Sequence, residues 1–262
     1  MSDAHGRRQF VGMLTGAVAG AALLGANRAR AAAAGGGGYR AVAFDGFTLF
    51  DPRLIAALAS QLFAEKGAEL MNLWRVKEFD YQWLSALSGG YRDFWACTEG
   101  ALTFAARSLK IDLTPDARDR LMQSWLQLKS WPDVAPALRT LKQANLRLAA
   151  LANLTPRILE TALASSGLEG LFDEVISTDR ARTFKPDPRA YQLGIDVLRV
   201  RREELVFVPS AGWDAAGSKW FGYSTFWVNR TGASAEELGV AADGNGAGME
   251  ELVAFVKQRA NK

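Results

Sequence analysis

Beyond residue 38 the apolar positions fall into two regimes. The stretch Tyr39 to Asp51 reads YRAVAFDGFTLFD, and its run Ala41-Val42-Ala43-Phe44 has no polar alternation, the pattern of a short strand buried on both faces. From Leu54 to about Leu128 the spacing turns helical: LIAALASQLFAEK, LMNLWRVKEFDYQWLSAL, YRDFWACTEGALTFAARSL and TPDARDRLMQSWLQL carry apolar residues three and four apart, with no convincing strand among them. From Asp133 the two regimes alternate. Helices are predicted at 133–144, 156–166, 188–198, 214–220 and 249–258, and strands at 146–151, 174–177, 205–208 and 224–228. Such alternation predicts an α/β fold, a Rossmann-like parallel sheet core with a helical cap inserted after the first strand. The core is assigned to 39–52 and 130–262 and the cap to 53–129.

The first residues follow neither regime. Arg7-Arg8 precedes an apolar, Ala- and Gly-rich segment that is free of charge to about Ala26, and Ala29-Arg30-Ala31 offers small residues around a cleavage position. This order predicts a secretory signal of twin-arginine type over residues 1–31, followed by a flexible AAAAGGGG linker through 38, and hence a periplasmic mature protein. Removing Arg7, Arg8, Arg28, Arg30 and Asp3 leaves 27 basic and 27 acidic side chains, so the net charge of +3 belongs to the signal. A neutral mature chain gives no electrostatic reason to bind nucleic acid, and no stable membrane association is expected after signal removal.

Two counts narrow the chemistry further. The one cysteine, Cys97, allows no intramolecular disulfide, and the one histidine, His5, lies in the expected signal. The mature chain therefore has no imidazole for a Ser-His-Asp or Cys-His arrangement, and base and nucleophile fall to Asp, Glu, Lys, Tyr, Ser and Thr. In open parallel sheets ligands gather beyond the carboxyl ends of the strands. Asp45 stands there, though Asp-Gly also caps ordinary turns. So do Asn153-Leu154-Thr155-Pro156, whose Thr155 and Pro156 suit a helix start able to hold an anion, Lys185 within Phe184-Lys185-Pro186, and Ser210 to Asp214 after LVFV.

Together these stretches resemble the haloacid dehalogenase superfamily and, within it, the type II L-2-haloacid dehalogenases. AFDGFTLFD is similar to the nucleophile motif, LWRVKEFDYQWL and YRDFWACTEGAL to the helical cap, and FKPDPRAYQL and SAGWDAAGSKWFGY to the last two motifs. The resemblance implies that Asp45 attacks C2 of a short 2-haloalkanoic acid, forming an ester that water then hydrolyses to a 2-hydroxy acid. It implies that Arg75 and Asn153 hold the leaving halide, that Lys185 keeps Asp45 ionised, that Asp214 activates water, and that Thr48 and Ser210 support the catalytic group. Phe47, Phe94, Tyr191 and Trp213 then border the substrate. No cofactor and no metal is implied, and a homodimer is.

Phe47 stands two residues after Asp45, where the superfamily's phosphatases carry an acid that protonates the leaving alcohol, so a phosphatase is the weaker reading. Other departures open a further one. The family's threonine lies four residues after the nucleophile, whereas Thr48 lies three after Asp45; a serine of the family is Ala152 here; and Ser-Ser-Asn is replaced by Pro209-Ser210-Ala211. Each hydrogen bond lost to a charged group costs about 1.5 to 3 kcal/mol. The alternatives to a working dehalogenase are thus a catalytically impaired periplasmic homologue and a phosphatase.

Overall fold

Four apolar residues in succession can be buried only where both faces of a strand are covered, and Ala41–Phe44 (β1) meets that condition at the centre of the sheet. The computed structural model describes residues 38–260, so the expected signal, 1–31, and all but the last residue of the linker lie outside the described residues. β1 is flanked by Arg147–Ala152 (β4) and Leu205–Val208 (β6). Beyond them lie Glu174–Ser177 (β5) on one side, and Ser224–Val228 (β7) and Gly244–Gly246 (β8) on the other, giving the order β5-β4-β1-β6-β7-β8 with every pair parallel.

Period-two alternation divides the strand residues between two cores. Val42, Phe44, Leu148, Ala150, Val206 and Val208 pack on one face, and Ala41, Ala43, Ala149, Leu151, Leu205 and Phe207 on the other. The helices covering these faces are Val134–Gln143 (α6), Pro156–Ser165 (α7), Pro188–Leu198 (α8), Gly212–Phe221 (α9) and Met249–Ala260 (α10). At α7 the expected start is observed: the Thr155 hydroxyl accepts from Ile158 N, with Pro156 in the first turn.

Between β1 and β4 the chain leaves the sheet. A four-residue helix, Gly46–Leu49 (α1), runs into Phe50–Asp51 (β2), which pairs antiparallel with Lys129–Ser130 (β3) where the chain returns. The excursion between them is helical, as the spacing predicts: Arg53–Phe63 (α2), Gly67–Leu87 (α3), Phe94–Ser108 (α4) and Pro115–Ser124 (α5). α1, β2, β3 and β8 are absent from the sequence reading because two to four residues hold too little periodicity to register. α9 begins at Gly212 rather than at 214, which puts Asp214 inside the first helical turn.

Because chain order reverses about β1, the ends of β1, β4 and β6 open onto a shared crevice at the switch point of the sheet. The helical excursion covers that crevice. No helix among the described residues is long and apolar enough to cross a membrane.

Candidate active site

Asp45 is the first residue past β1 and the N-cap of α1, where its Oδ2 accepts from Phe47 N at 3.0 Å. Gly46 allows this tight exit. A Cβ there would sit 2.9 Å from Leu154 Cδ1 and 3.2 Å from Ala152 Cβ, so a side chain at this position would press on the end of β4 and displace Leu154. The same carboxylate accepts from Ser210 Oγ at 3.1 Å on Oδ2 and from Lys185 Nζ at 2.8 Å on Oδ1. Burial pushes Asp45 towards the neutral form, but the Lys185 charge and these donors outweigh it and hold the carboxyl below its ordinary range.

Lys185 is buried and reaches a second carboxylate, Asp214 Oδ2, at 2.7 Å. Burial alone would discharge the lysine; the two acids reverse that and keep it protonated above its ordinary range. Asp214 is pushed up to about 6, first by its own burial, with Lys185 opposing the shift and Asp45 adding to it. One ammonium thus serves two acids of different acidity, Asp45 ionised and Asp214 poised near neutrality, as a nucleophile and a base require. Tyr191 OH donates to Asp214 Oδ1 at 2.6 Å and fixes the carboxyl plane. Gly217 makes room for that contact, since a Cβ there would lie 2.6 Å from the Tyr191 hydroxyl oxygen and 2.7 Å from Pro186 Cβ.

In front of Asp45 lies a cavity of about 30 Å³, and of the expected residues Asp45, Phe47, Arg75, Phe94, Asn153, Ser210 and Trp213 line it. Lys185, Asp214 and Tyr191 stand behind the carboxylate, not against the cavity. Tyr191 consequently orients an acid where a substrate-bordering role was expected. Thr48 is also redirected. As the third residue of α1 it sends its hydroxyl to the Val208 carbonyl at 2.7 Å, while only its backbone N–H meets Asp45, at the carbonyl oxygen, 3.2 Å away. It ties β1 to β6 and leaves the Asp45 carboxylate to Ser210 and Lys185.

The far wall of the cavity comes from α3. Arg75, Glu78, Phe79 and Gln82 follow one another at i, i+3, i+4 and i+7, which places them on one helical face, and all four line the cavity. Of these only Arg75 was picked out from the sequence. The spacing from Arg75 was the signal available for the other three, and it becomes usable once that face is known to meet the sheet. The Arg75 guanidinium lies 4.8 Å from the centre of the Phe47 ring and 5.2 Å from that of Phe79, a cation held between two aromatic faces. Its Nη1 is buried and has no hydrogen-bond partner among the described residues. Asn153 does not present its amide to the cavity as a free donor. Its Nδ2 donates to Gln82 Oε1 at 3.1 Å and its Oδ1 accepts from Lys185 N at 2.9 Å, so the unpartnered amide donor is Gln82 Nε2.

Apolar walls complete the site. Trp213 stacks edge-on against Phe79 at 5.5 Å and Trp83 at 5.6 Å, and Phe94 packs on Trp125 at 5.1 Å. A small space lined by an ionised carboxylate, a guanidinium and aromatic rings suits displacement of an anionic leaving group.

Residues 39–222 match the sequence profile of the haloacid dehalogenase-like hydrolases. Haloacetate dehalogenase H-2 of Moraxella sp. (strain B) is 38% identical over 217 residues, covering 82% of this chain and 97% of that protein. The (S)-2-haloacid dehalogenase of Pseudomonas sp. (strain YL) is 36% identical over 224 residues, covering 85% and 97%. A crystal structure of an L-2-haloacid dehalogenase superposes with a TM-score of 0.82 at 41% identity, over 84% of this chain and 99% of that one. With the profile spanning both the sheet and the helices that cover its crevice, the chain belongs to the haloacid dehalogenase-like hydrolases.

Proposed function

We propose that this protein is a hydrolytic dehalogenase of short-chain (S)-2-haloalkanoic acids that works through an ester on Asp45. One observation carries the reading: an Asp45 carboxylate kept ionised by Lys185 lines the same cavity of about 30 Å³ as Arg75, whose buried Nη1 has no hydrogen-bond partner among the described residues. An Asp45 oxygen attacks C2 while the carbon–halogen bond breaks, and the halide leaves with the bonding pair toward Arg75. Water, deprotonated by Asp214, then adds to the ester carbonyl, and the C2 oxygen departs with the product, inverted at C2. The relatives that act on haloacetate and on (S)-2-haloacids support this substrate class, and the small cavity favours two- and three-carbon acids.

The departures from the family pattern leave the nucleophile supported. Ser210 still reaches Asp45, and the misplaced Thr48 is not needed for that. This favours a working enzyme over an impaired homologue. Phe47, whose ring packs beneath Arg75, has no proton to give a leaving alcohol and disfavours a phosphatase. Export to the periplasm by the Arg7-Arg8 segment and a homodimer complete the proposal. The exposed Val76, Leu84 and Leu87 on α3 support the dimer, which sedimentation of the mature chain tests. The chemistry is tested by a single turnover of L-2-chloropropionate in heavy-oxygen water, followed by the mass of the peptide containing Asp45. Label in that peptide is expected, and product formed without it overturns the reading.

A further inference from the structure

Glu78 has no role in the reaction as written, yet it is 1% exposed and lines the same cavity as Asp45 and Arg75. Among the described residues its Oε1 has no hydrogen-bond partner, nor has Arg75 Nη1 one turn before it, nor Gln82 Nε2 one turn after. A carboxylate and a guanidinium placed for mutual stabilisation would be hydrogen-bonded to each other. Here no hydrogen bond joins them, and both residues line one small cavity.

What satisfies all three is constrained by their chemistry. Arg75 Nη1 and Gln82 Nε2 are donors and remain so at any ordinary pH. An anion is their natural partner. The same anion is repelled by an ionised Glu78 in a buried space, where charges interact more strongly than in water, but is welcomed by the neutral acid, whose hydroxyl is a third donor. The surroundings favour that neutral form. Burial pushes Glu78 up to about 7, and Arg75 only partly opposes the shift.

The groups facing Glu78 are few. Arg75 stands on its own helix, and the buried Thr98 hydroxyl of α4, otherwise unpartnered, lies close enough to hydrogen-bond the carboxyl and weakly favours its ionised form. Cys97 of α4 is also near, its thiol pushed upward mainly by burial and in small part by Glu78. Across the cavity stands Asp45, itself bound to Lys185. Among these only Arg75 brings a positive charge to the Glu78 end.

We propose that Glu78 is a second leaving-group residue: as the neutral acid it donates a hydrogen bond to the halide that Arg75 receives, and as the carboxylate it opposes that halide's departure. The inference rests on the dehalogenase reading. No proton is transferred; the halide leaves as the anion with the bonding pair, and Glu78 keeps its hydrogen throughout.

The test compares kcat/KM for chloroacetate from pH 5.5 to 9 in the mature protein and in Glu78→Gln, which keeps a donor but cannot ionise. In the parent, kcat/KM is expected to fall above about pH 7, approaching tenfold per pH unit as the neutral fraction is lost. Glu78→Gln is expected to lose that falling limb, and Glu78→Asp to retain one. A falling limb unchanged in Glu78→Gln, or absent from the parent, overturns the proposal. A second measurement requires neither turnover nor a Glu78 variant: bromide affinity of Asp45→Asn, followed by fluorescence. Affinity that declines as pH rises through about 7 is expected, and affinity independent of pH overturns the assignment. If the mature protein releases halide from no haloacid, the dehalogenase reading fails, and the bromide titration decides on Glu78 by itself.

Discussion

The Lys185 ammonium donates to Asp45 Oδ1 at 2.8 Å from a side chain that is only 1% exposed. In so closed a place the pair cannot be exchanged for water, and the lysine's loss would leave Asp45 facing Asp214 with no cation between them. Lys185→Met is therefore expected to lower kcat by at least about a thousandfold, roughly 4 kcal/mol of barrier. It also breaks a buried ion pair, a change that typically costs about 3 to 5 kcal/mol. Thermal melts should show a drop that is larger at pH 8 than at pH 5, where one acid can protonate. Retention of full turnover would mean the lysine is not part of the chemistry.

Much of this centre is legible in the sequence. Asp45 is visible because a run of four apolar residues ends on it, and Lys185 and Asp214 because the loops carrying them follow or flank predicted strands. The cap wall is less so. Glu78 and Gln82 are polar residues on an amphipathic helix, indistinguishable in spacing from a solvated face until the helix is docked on the sheet. Thr48 shows the opposite failure: a motif position was carried across a turn one residue shorter, and in a tight turn one residue changes the direction of the side chain. Asn153 lines the cavity, but which of its hydrogen bonds are already used within the protein is a three-dimensional fact.

The rising limb of the pH profile should belong to Asp214. The water-activating acid must be ionised for the ester to be hydrolysed, and its carboxyl is pushed up to about 6 by burial, so kcat, which includes that second step, is expected to rise with pH through about 6. Tyr191 OH stabilises the ionised form through its 2.6 Å hydrogen bond. Tyr191→Phe removes a bond to a charged group, about 1.5 to 3 kcal/mol, and should move that limb upward by about one to two pH units. An unmoved limb would show that some other group titrates there.

Gly217 has no part in the chemistry, but its lack of a side chain allows Tyr191 and Pro186 to approach. In Gly217→Ala the new Cβ would meet rigid groups on both sides, so the strain cannot be relieved by a flexible chain end. A loss of about 1 to 3 kcal/mol of stability is expected, as for other overpacked positions. Since Pro186 neighbours Lys185, kcat should fall as well, and denaturant melts with halide release measured on the same samples check both effects. Unchanged stability would contradict the closeness of that packing.

Glu78 also predicts how stability depends on pH. Its carboxyl is pushed up from an ordinary 4.5 to about 7, so the folded state prefers it neutral. The sign follows: this contribution is complete below about pH 4.5, declines as pH rises, and is lost once pH passes about 7. The shift corresponds to an upper bound on the order of 3 kcal/mol. Glu78→Gln should therefore melt higher than the parent at pH 8 and nearly level with it at pH 4.5. Equal melting at pH 8 would mean that Glu78 ionises in the folded protein without cost.

Chain length of the substrate should be governed by the ring of Trp213. It closes the cavity together with Phe79, 5.5 Å away, and faces the same space as Asp45 and Arg75. In a cavity of about 30 Å³ an added methylene on the acid has to displace part of an aromatic wall. Trp213→Leu removes much of that wall while keeping it apolar. It should raise kcat/KM for 2-chlorobutyrate relative to 2-chloropropionate by roughly tenfold or more, since one methylene in a fitted pocket is worth about 1 to 3 kcal/mol. The ratio is the informative quantity, because loosening the wall also admits water and lowers both rates. A ratio that stays fixed while both rates fall would place the length limit elsewhere on the wall, with Phe79 and Phe94 as the remaining aromatic groups that line it beyond Phe47.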